Sequence, residues 1–477
     1  MDKILSGYER QIMISIVLPD WLNMELKISA LTHKMGKHGW LVDKALINKH
    51  IQTLDKIIAD IEAEVMPDIP EYCVVHEKVL EKNAEGDVVL YHHVTKPYLK
   101  SGLPSRQVAD RWNVEERNNI SSFGPFTRVG FEKINLRAEG QIKRYLLSMG
   151  WQPTEWNISK TGKNKGKVTS PKLTEDSYDS ITSGVGRKIA QYLKACHRRS
   201  QMQGWLEVIK EDGRIESLVN PQAAPTVRMT HKNIVNIPSV EKKAFFAKEM
   251  RECFIAKTGY VLVGCDSDAD QIRKLCHYMG DDKFTDAVLN GDKDKGTDIH
   301  TFNMQLAGLP TRGHAKNFFY GFIFGAGPTK IGKLINKGPE AGKKIINQYM
   351  TRLPKLKVLI DGLKEAFKRR GYLIAIDGRR IYPRKEHELL CYLLQAAEAI
   401  GMKKAMCHVN YWIGIEGLDA NQVCIMHDEY TFEVREDHAG RVAYLCEEAI
   451  RQAGRDLGLN VPMDGTAKIG KNWAEIH

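Results

Sequence analysis

No run in this chain approaches the about 18 consecutive apolar residues that a membrane-spanning helix needs. The opening MDKILSGYERQ carries two acids and lacks the basic-then-apolar layout of a secretory leader. No CxxC pair occurs. The nine cysteines stand singly, from Cys73 to Cys446, which argues against a disulfide scaffold or a zinc site and fits reduced thiols in a cytoplasmic protein. Internal repeats and low-complexity tracts are also missing, so repeat arrays and linker-like chains are excluded. An acidic excess is absent too: 70 Lys and Arg stand against 59 Asp and Glu, a net charge of +11. That balance suits a polyanionic partner without defining one. What is present is an ordinary globular composition, 43% apolar and 27% charged, over 477 residues, enough for several cores.

Residues 24–65 carry apolar side chains at helical spacing, among them Leu46, Ile47, Ile51, Leu54, Ile57, Ile58 and Ile61, until Pro67 and Pro70 end the pattern. From 67 to about 130 the chain changes to EGD and FGP turn signals and β-like runs such as VVLYHHV, the mark of an inserted loop-and-strand element. Helical pattern returns near 135–150 and again over 185–210. Between them SKTGKNKGK, 159–167, reads as a basic loop: a solvated linker, or an arm that follows phosphates.

Three segments have chemistry in their spacing. In YVLVGCDSDADQIRKLCHYMGD, 260–281, an apolar strand ends at Asp266, and Ile272, Leu275, Cys276 and Met279 continue as a helix. A carboxylate there can hold a cation at a sheet edge, or Asp266 or Asp268 can merely cap the helix. In PTRGHAKNFFYGFIFGAG, 310–327, Arg312, Lys316 and Tyr320 fall at i, i+4 and i+8 and share one helix face. The cations can neutralise a triphosphate and the ring can lie against a sugar or base. Phe318, Phe319, Phe322 and Ile323 face inward, and Gly321, Gly325 and Gly327 imply a close neighbour or a helix end. In NQVCIMHDEYTFEVRED, 421–437, two alternating strands flank a turn bearing His427, Asp428 and Glu429. Adjacent acids at such a turn make a site of hard oxygen ligands.

Taken in order, DSDADQIRKLCH, RGHAKNFFYG and MHDE resemble motifs A, B and C of family A DNA polymerases, most of all the podovirus-type bacteriophage replicative branch. Further likeness lies in LNGDKDKGTDIHT, LVNPQAAPTVRMTH, LLQAAEAI and the final KIGKNWAEIH, so that roughly 135–477 are covered well and the helices at 24–65 moderately. The resemblance implies an α+β right-hand polymerase fold: a palm of antiparallel sheet plus helices, helical fingers and a helical thumb. It divides the chain into an N-terminal segment 1–23, a thumb 24–215 with an insertion at about 67–130, a first palm part 216–300, fingers 301–385 and a second palm part 386–477. The activity implied is template-directed addition of deoxynucleotides to a DNA primer, in phage DNA replication. Asp266 and Asp428, with the Ser267 backbone, would bind two Mg²⁺ ions, and Glu429 would support them. Arg312, Lys316, Tyr320 and His300 would meet the incoming nucleotide, and Arg228, Gln395, His427 and Phe324 the primer–template.

Two residues depart from the family's pattern. Gln271 stands where the family has a glutamate that helps exclude the ribose 2′ hydroxyl, which leaves sugar discrimination open. Phe324-Gly325 replaces Tyr-Gly, keeping the ring and losing the hydroxyl. Tyr320 stands where some members carry Phe, and with Tyr the family accepts dideoxynucleotides readily. No nuclease segment is recognised ahead of the thumb, so proofreading is expected to be either lost or, the reading favoured, carried by a separately encoded exonuclease, with a processivity factor at the 67–130 insertion. The other readings are a single-subunit RNA polymerase, which Gln271 keeps open, and a non-catalytic polymerase-like DNA-binding subunit, which the retained Asp266 and Asp428 oppose.

Overall fold

The structure is a computed structural model that describes residues 18–75, 79–82, 88–91, 93–110, 113–118, 124–127, 129–241, 243–335 and 337–476. Most of the expected 1–23 segment and parts of the 67–130 insertion lie outside the described residues. The chain forms two compact units. One comprises the chain through His50 together with Gln201–His477, the other Ile51–Ser200. Among the described residues no helix is long and apolar enough to cross a membrane.

The first unit is built on a four-stranded antiparallel sheet: β1 (Tyr260–Ser267), β2 (Ala420–Met426), β3 (Glu429–Arg435) and β4 (Gly465–Gly470), in the order β2-β3-β1-β4. Alternation assigns its faces. Val261, Val263 and Cys265 of β1 enter one core with Tyr430, Phe432 and Val434 of β3. The same core takes Ile28 and Met35 of helix α1 (Asp20–His38), and it also takes Met402, Met406 and Val409 of the 27-residue helix that runs Leu389–Ile415. Val442 and Leu445, from the helix Ala439–Asp456, complete it. The out-of-phase residues of β1 and β3, including Asp266 and Glu429, point to the other face. There Ile476 lies so close to Gly264 that a Cβ at that glycine would come within 2.7 Å of it.

A second core is helical. It joins α2 (Asp270–Met279), α3 (Ile299–Ala307), α4 (Arg312–Ile323) and the helices Pro328–Leu334, Pro339–Arg352 and Pro354–Arg370. Phe318, Phe319 and Ile323 of α4 are fully buried there, as the sequence pattern requires, with Phe322 packed at the margin. Gly321 admits Leu334: a Cβ would meet its Cδ1 at 2.8 Å. The long helix and the helix after β3 are labelled α5 (Leu389–Ile415) and α6 (Ala439–Asp456) below.

The helical pattern of 24–65 is carried by two helices. Gly39, at φ 68°, ends α1, and Trp40–Leu41 pairs with Arg214–Ile215 before a second helix starts at Lys44. The break is fixed by aromatic packing: Trp40 lies 5.1 Å from Phe254 and 4.9 Å from Trp473, ring centre to ring centre. In the second unit, Lys188 pairs with Glu64 and Arg199 with Asp55, cross-linking two helices. The described parts of 67–130 are strand-rich, with three short antiparallel pairs. The basic stretch 159–167 is exposed and joins Trp156–Ile158 to Val168–Pro171.

Candidate active site

The register of the sheet brings the two expected acids together. Asp266 stands directly opposite Glu429 across β1 and β3, one residue from Asp428. The turn between β2 and β3 is tighter than the sequence implies. His427 and Asp428 alone form it, and Glu429 is already the first residue of β3, 9% exposed. His427 adopts φ 56°, as a two-residue hairpin turn demands. The Ser267 amide donates to the Asp428 carbonyl at 2.9 Å and ties the turn to the end of β1. Neither Asp266 nor Asp268 caps α2. Its N-cap is Ala269, in the left-handed region and without a side-chain cap bond, while Asp268 accepts from Thr466. The capping explanation of Asp266 therefore falls away.

Both acids resist ionisation. Asp266, although its side chain reaches solvent, is pushed up to about 8 by partial loss of hydration and then by the charges of Asp428, Glu429, Asp268 and Glu241. Asp428 is pushed up to about 7, again by burial first, then by Glu398 and Asp270. A cation would relieve this concentration of negative charge. Among the described residues no group of three or more His, Cys, Asp or Glu side chains forms a metal cage. Mg²⁺ does not ask for one. It is bound through one or two carboxylates together with water and phosphate oxygens, so the donors Asp266 and Asp428 fit it.

The residues expected to meet the nucleotide also lie close together. Arg312, half-exposed Tyr320 and exposed Lys316 lie along α4. His300, from α3, is 9% exposed with its ring 6.0 Å from that of Tyr320. Burial, then the Arg312 and Lys316 cations, hold its pKa below the ordinary histidine value. Phe324 is exposed and stacks on Tyr320 at 6.3 Å and 22°. The phenol of Tyr320 is pushed up by burial and by the charge of Asp428, which connects α4 to the acidic turn. Half-buried Gln395 and Gln271 lie on α5 and α2, and His427 is exposed with its ring 6.2 Å from His231.

Three anchoring acids escaped the sequence reading. Asp298 caps α3 through the His300 amide and takes a forked contact from Arg312, with Nε at 3.0 Å and an Nη at 2.8 Å from Oδ1. Burial would raise its pKa, but the bonds from Arg312, Thr301 and the His300 amide hold it far below the usual carboxylate range. Asp270 forms a fully buried pair with Lys274 and accepts from the Ser267 hydroxyl at 3.0 Å. Glu398, 1% exposed on α5, receives Arg228 at 2.7 Å and the side-chain amide of Gln271. Its one sequence signal is an isolated acid within the apolar run LLCYLLQAAEAI.

Comparison with known proteins gives the fold and the family. The polymerase domain of Pol1 from Mycobacterium smegmatis, solved in complex with DNA primer-template and dNTP, superposes with a TM-score of 0.69. The match covers 95% of this chain and 70% of that one at 20% identity. The fold is therefore that of the right-hand polymerases. The family model for DNA polymerase family A matches residues 115–475, and the chain belongs to that family. Its relatives include the DNA-directed DNA polymerase of Escherichia phage Phieco32, 27% identical over 77% of this chain and 74% of that enzyme. That of Escherichia phage T7 is 28% identical over 80% of this chain, which spans only 58% of the T7 enzyme.

Proposed function

We propose that this chain extends a DNA primer along a template by adding deoxynucleotides to its 3′ end, and that it serves phage DNA replication. The supporting observation is the register that sets Asp266 opposite Glu429 and so beside Asp428, whose charge reaches Tyr320 on the helix that also carries Arg312 and Lys316. In this reading Asp266, Asp428 and the Ser267 carbonyl would hold two Mg²⁺ ions, and Glu429 would support them. When bound, the two ions lend Lewis acidity to the attacking and leaving oxygens of an in-line displacement.

The chain's own residues do the remaining work. Arg312, Lys316 and His300 bind the triphosphate, and Asp298 keeps the guanidinium of Arg312 at the head of α4. Lys316 offsets charge on the departing pyrophosphate. Tyr320 lies against the sugar and base, and Gln271 against the sugar. Arg228, Gln395, His427 and Phe324 face the primer–template. Palm, fingers and thumb take the boundaries given by sequence. A separately encoded exonuclease, a processivity partner at 67–130 and action in the cytoplasm of an infected cell belong to the same proposal.

The test is primer extension on a defined template with Mg²⁺, with deoxy- and ribonucleotides side by side and a 3′-mismatched primer included. Extension with deoxynucleotides, and a mismatch left unexcised, are expected. No extension, or equal use of ribonucleotides, would contradict the reading.

A further inference from the structure

Gln271 lacks the charge that the family's glutamate would bring, and the structure provides a carboxylate from another element. Glu398 is the single acid of its apolar helical run and is almost fully buried. An ionised carboxylate in such a place must be paired and hydrogen-bonded. One Arg228 nitrogen lies 2.7 Å from each of its oxygens, and Gln271 Nε2 donates to Oε2. Because a carboxylate only accepts, this contact dictates which end of the amide faces Glu398. Gln271 Oε1, turned the other way, is buried and has no partner among the described residues. Glu398 is thus the tether that fixes a side chain standing, in the polymerase reading, against the sugar of the incoming nucleotide. Without it Gln271 would be a flexible side chain with several rotamers and no fixed shape.

We infer that Glu398 is a positioning residue for sugar selection. It clamps Gln271 so that the amide forms a rigid wall against an added ribose hydroxyl, replacing from α5 what the glutamate-to-glutamine change removed on α2. The inference rests on the polymerisation reading.

The test compares wild type, Glu398→Gln, Gln271→Glu and the reciprocal double variant Gln271→Glu/Glu398→Gln in single-nucleotide incorporation, reading kcat and KM for deoxy- and ribonucleotides. Glu398→Gln is expected to lower the deoxy-over-ribo ratio of kcat/KM on the order of tenfold, the weight of one charge-assisted hydrogen bond. Gln271→Glu sets a second carboxylate against buried Glu398 and should use deoxynucleotides poorly. The double variant restores one donor and one acceptor with the roles exchanged, and should return the ratio to near the wild-type value. A purely structural role would not produce that return. If Glu398→Gln melts too early to assay, the reciprocal exchange carries the test. An unchanged ratio in Glu398→Gln, or a double variant no better than the worse single one, overturns the inference alone. Failure of the wild type to extend a primer overturns the polymerisation reading and this inference with it.

Discussion

The amide of Ser267 is bonded to the carbonyl of Asp428 at 2.9 Å, so the last residue of one strand fixes the turn between two others. This contact joins segments 161 residues apart and, with the sheet register, holds the two acids side by side. Loss of hydration and neighbouring charge keep both acids from ionising at their ordinary pH.

An acid whose folded pKa lies above its ordinary value keeps its proton in the fold after the unfolded chain has released it. The metal-free chain therefore loses stability as pH rises from about 4 towards the raised values of about 7 and about 8. Asp428→Asn removes part of that loss. In chelator at pH 8 the variant should melt no lower than wild type, with the gap narrowing towards pH 5, while synthesis is abolished. Thermal melting against pH is the measurement. A wild type that gains on the variant between pH 5 and pH 8 would contradict the charge argument.

Lys316 is exposed on the face of α4 that carries Arg312 and Tyr320. Lys316→Ala should raise the apparent KM for deoxynucleotides on the order of tenfold or more, the scale of a lost contact to phosphate. Primer–template affinity should stay within a factor of about two. Steady-state kinetics and a DNA-binding titration separate the two, and an unchanged KM with an unchanged rate removes Lys316 from the nucleotide site.

Tyr320 stacks on Phe324 and its phenol lies within charge range of Asp428. The wild-type chain should terminate readily with dideoxynucleotides, and Tyr320→Phe should discriminate against them. Strong rejection by the wild type in a chain-termination assay would contradict this placement.

Gly325 follows α4 at φ 79°, and a Cβ there would be driven into the His387 carbonyl oxygen. Gly325→Ala should cost roughly 1–3 kcal/mol through backbone strain and that clash. Gly327→Ala, with open space around it, should cost under about 1 kcal/mol. Urea midpoints of the two variants check the contrast, and equal midpoints would refute it.

Much of this was legible in the sequence wherever local pattern and function coincide. The strand ending at Asp266, the hairpin at Asp428 and the cationic face of α4 each follow from a short period. What stayed hidden depends on distant partners. Asp298 reads as a helix cap, and its grip on Arg312 appears only when α3 and α4 pack. Glu398 reads as one more helix former, and its role needs Arg228 and Gln271, 170 and 127 residues away. The break at Gly39 was masked because helical spacing continues on both sides of it. The cause, Trp40 against Phe254 and Trp473, is again long-range.

The most direct measurement is Mg²⁺-dependent extension of a primed DNA template by the wild type, Asp266→Asn and Asp428→Asn at equal occupancy of primer–template. The wild type should extend, and each variant should bind the DNA yet lose synthesis by three or more orders of magnitude, roughly 4 kcal/mol of transition-state stabilisation. Comparable extension by either variant would show that these two carboxylates do not form the centre of the chemistry.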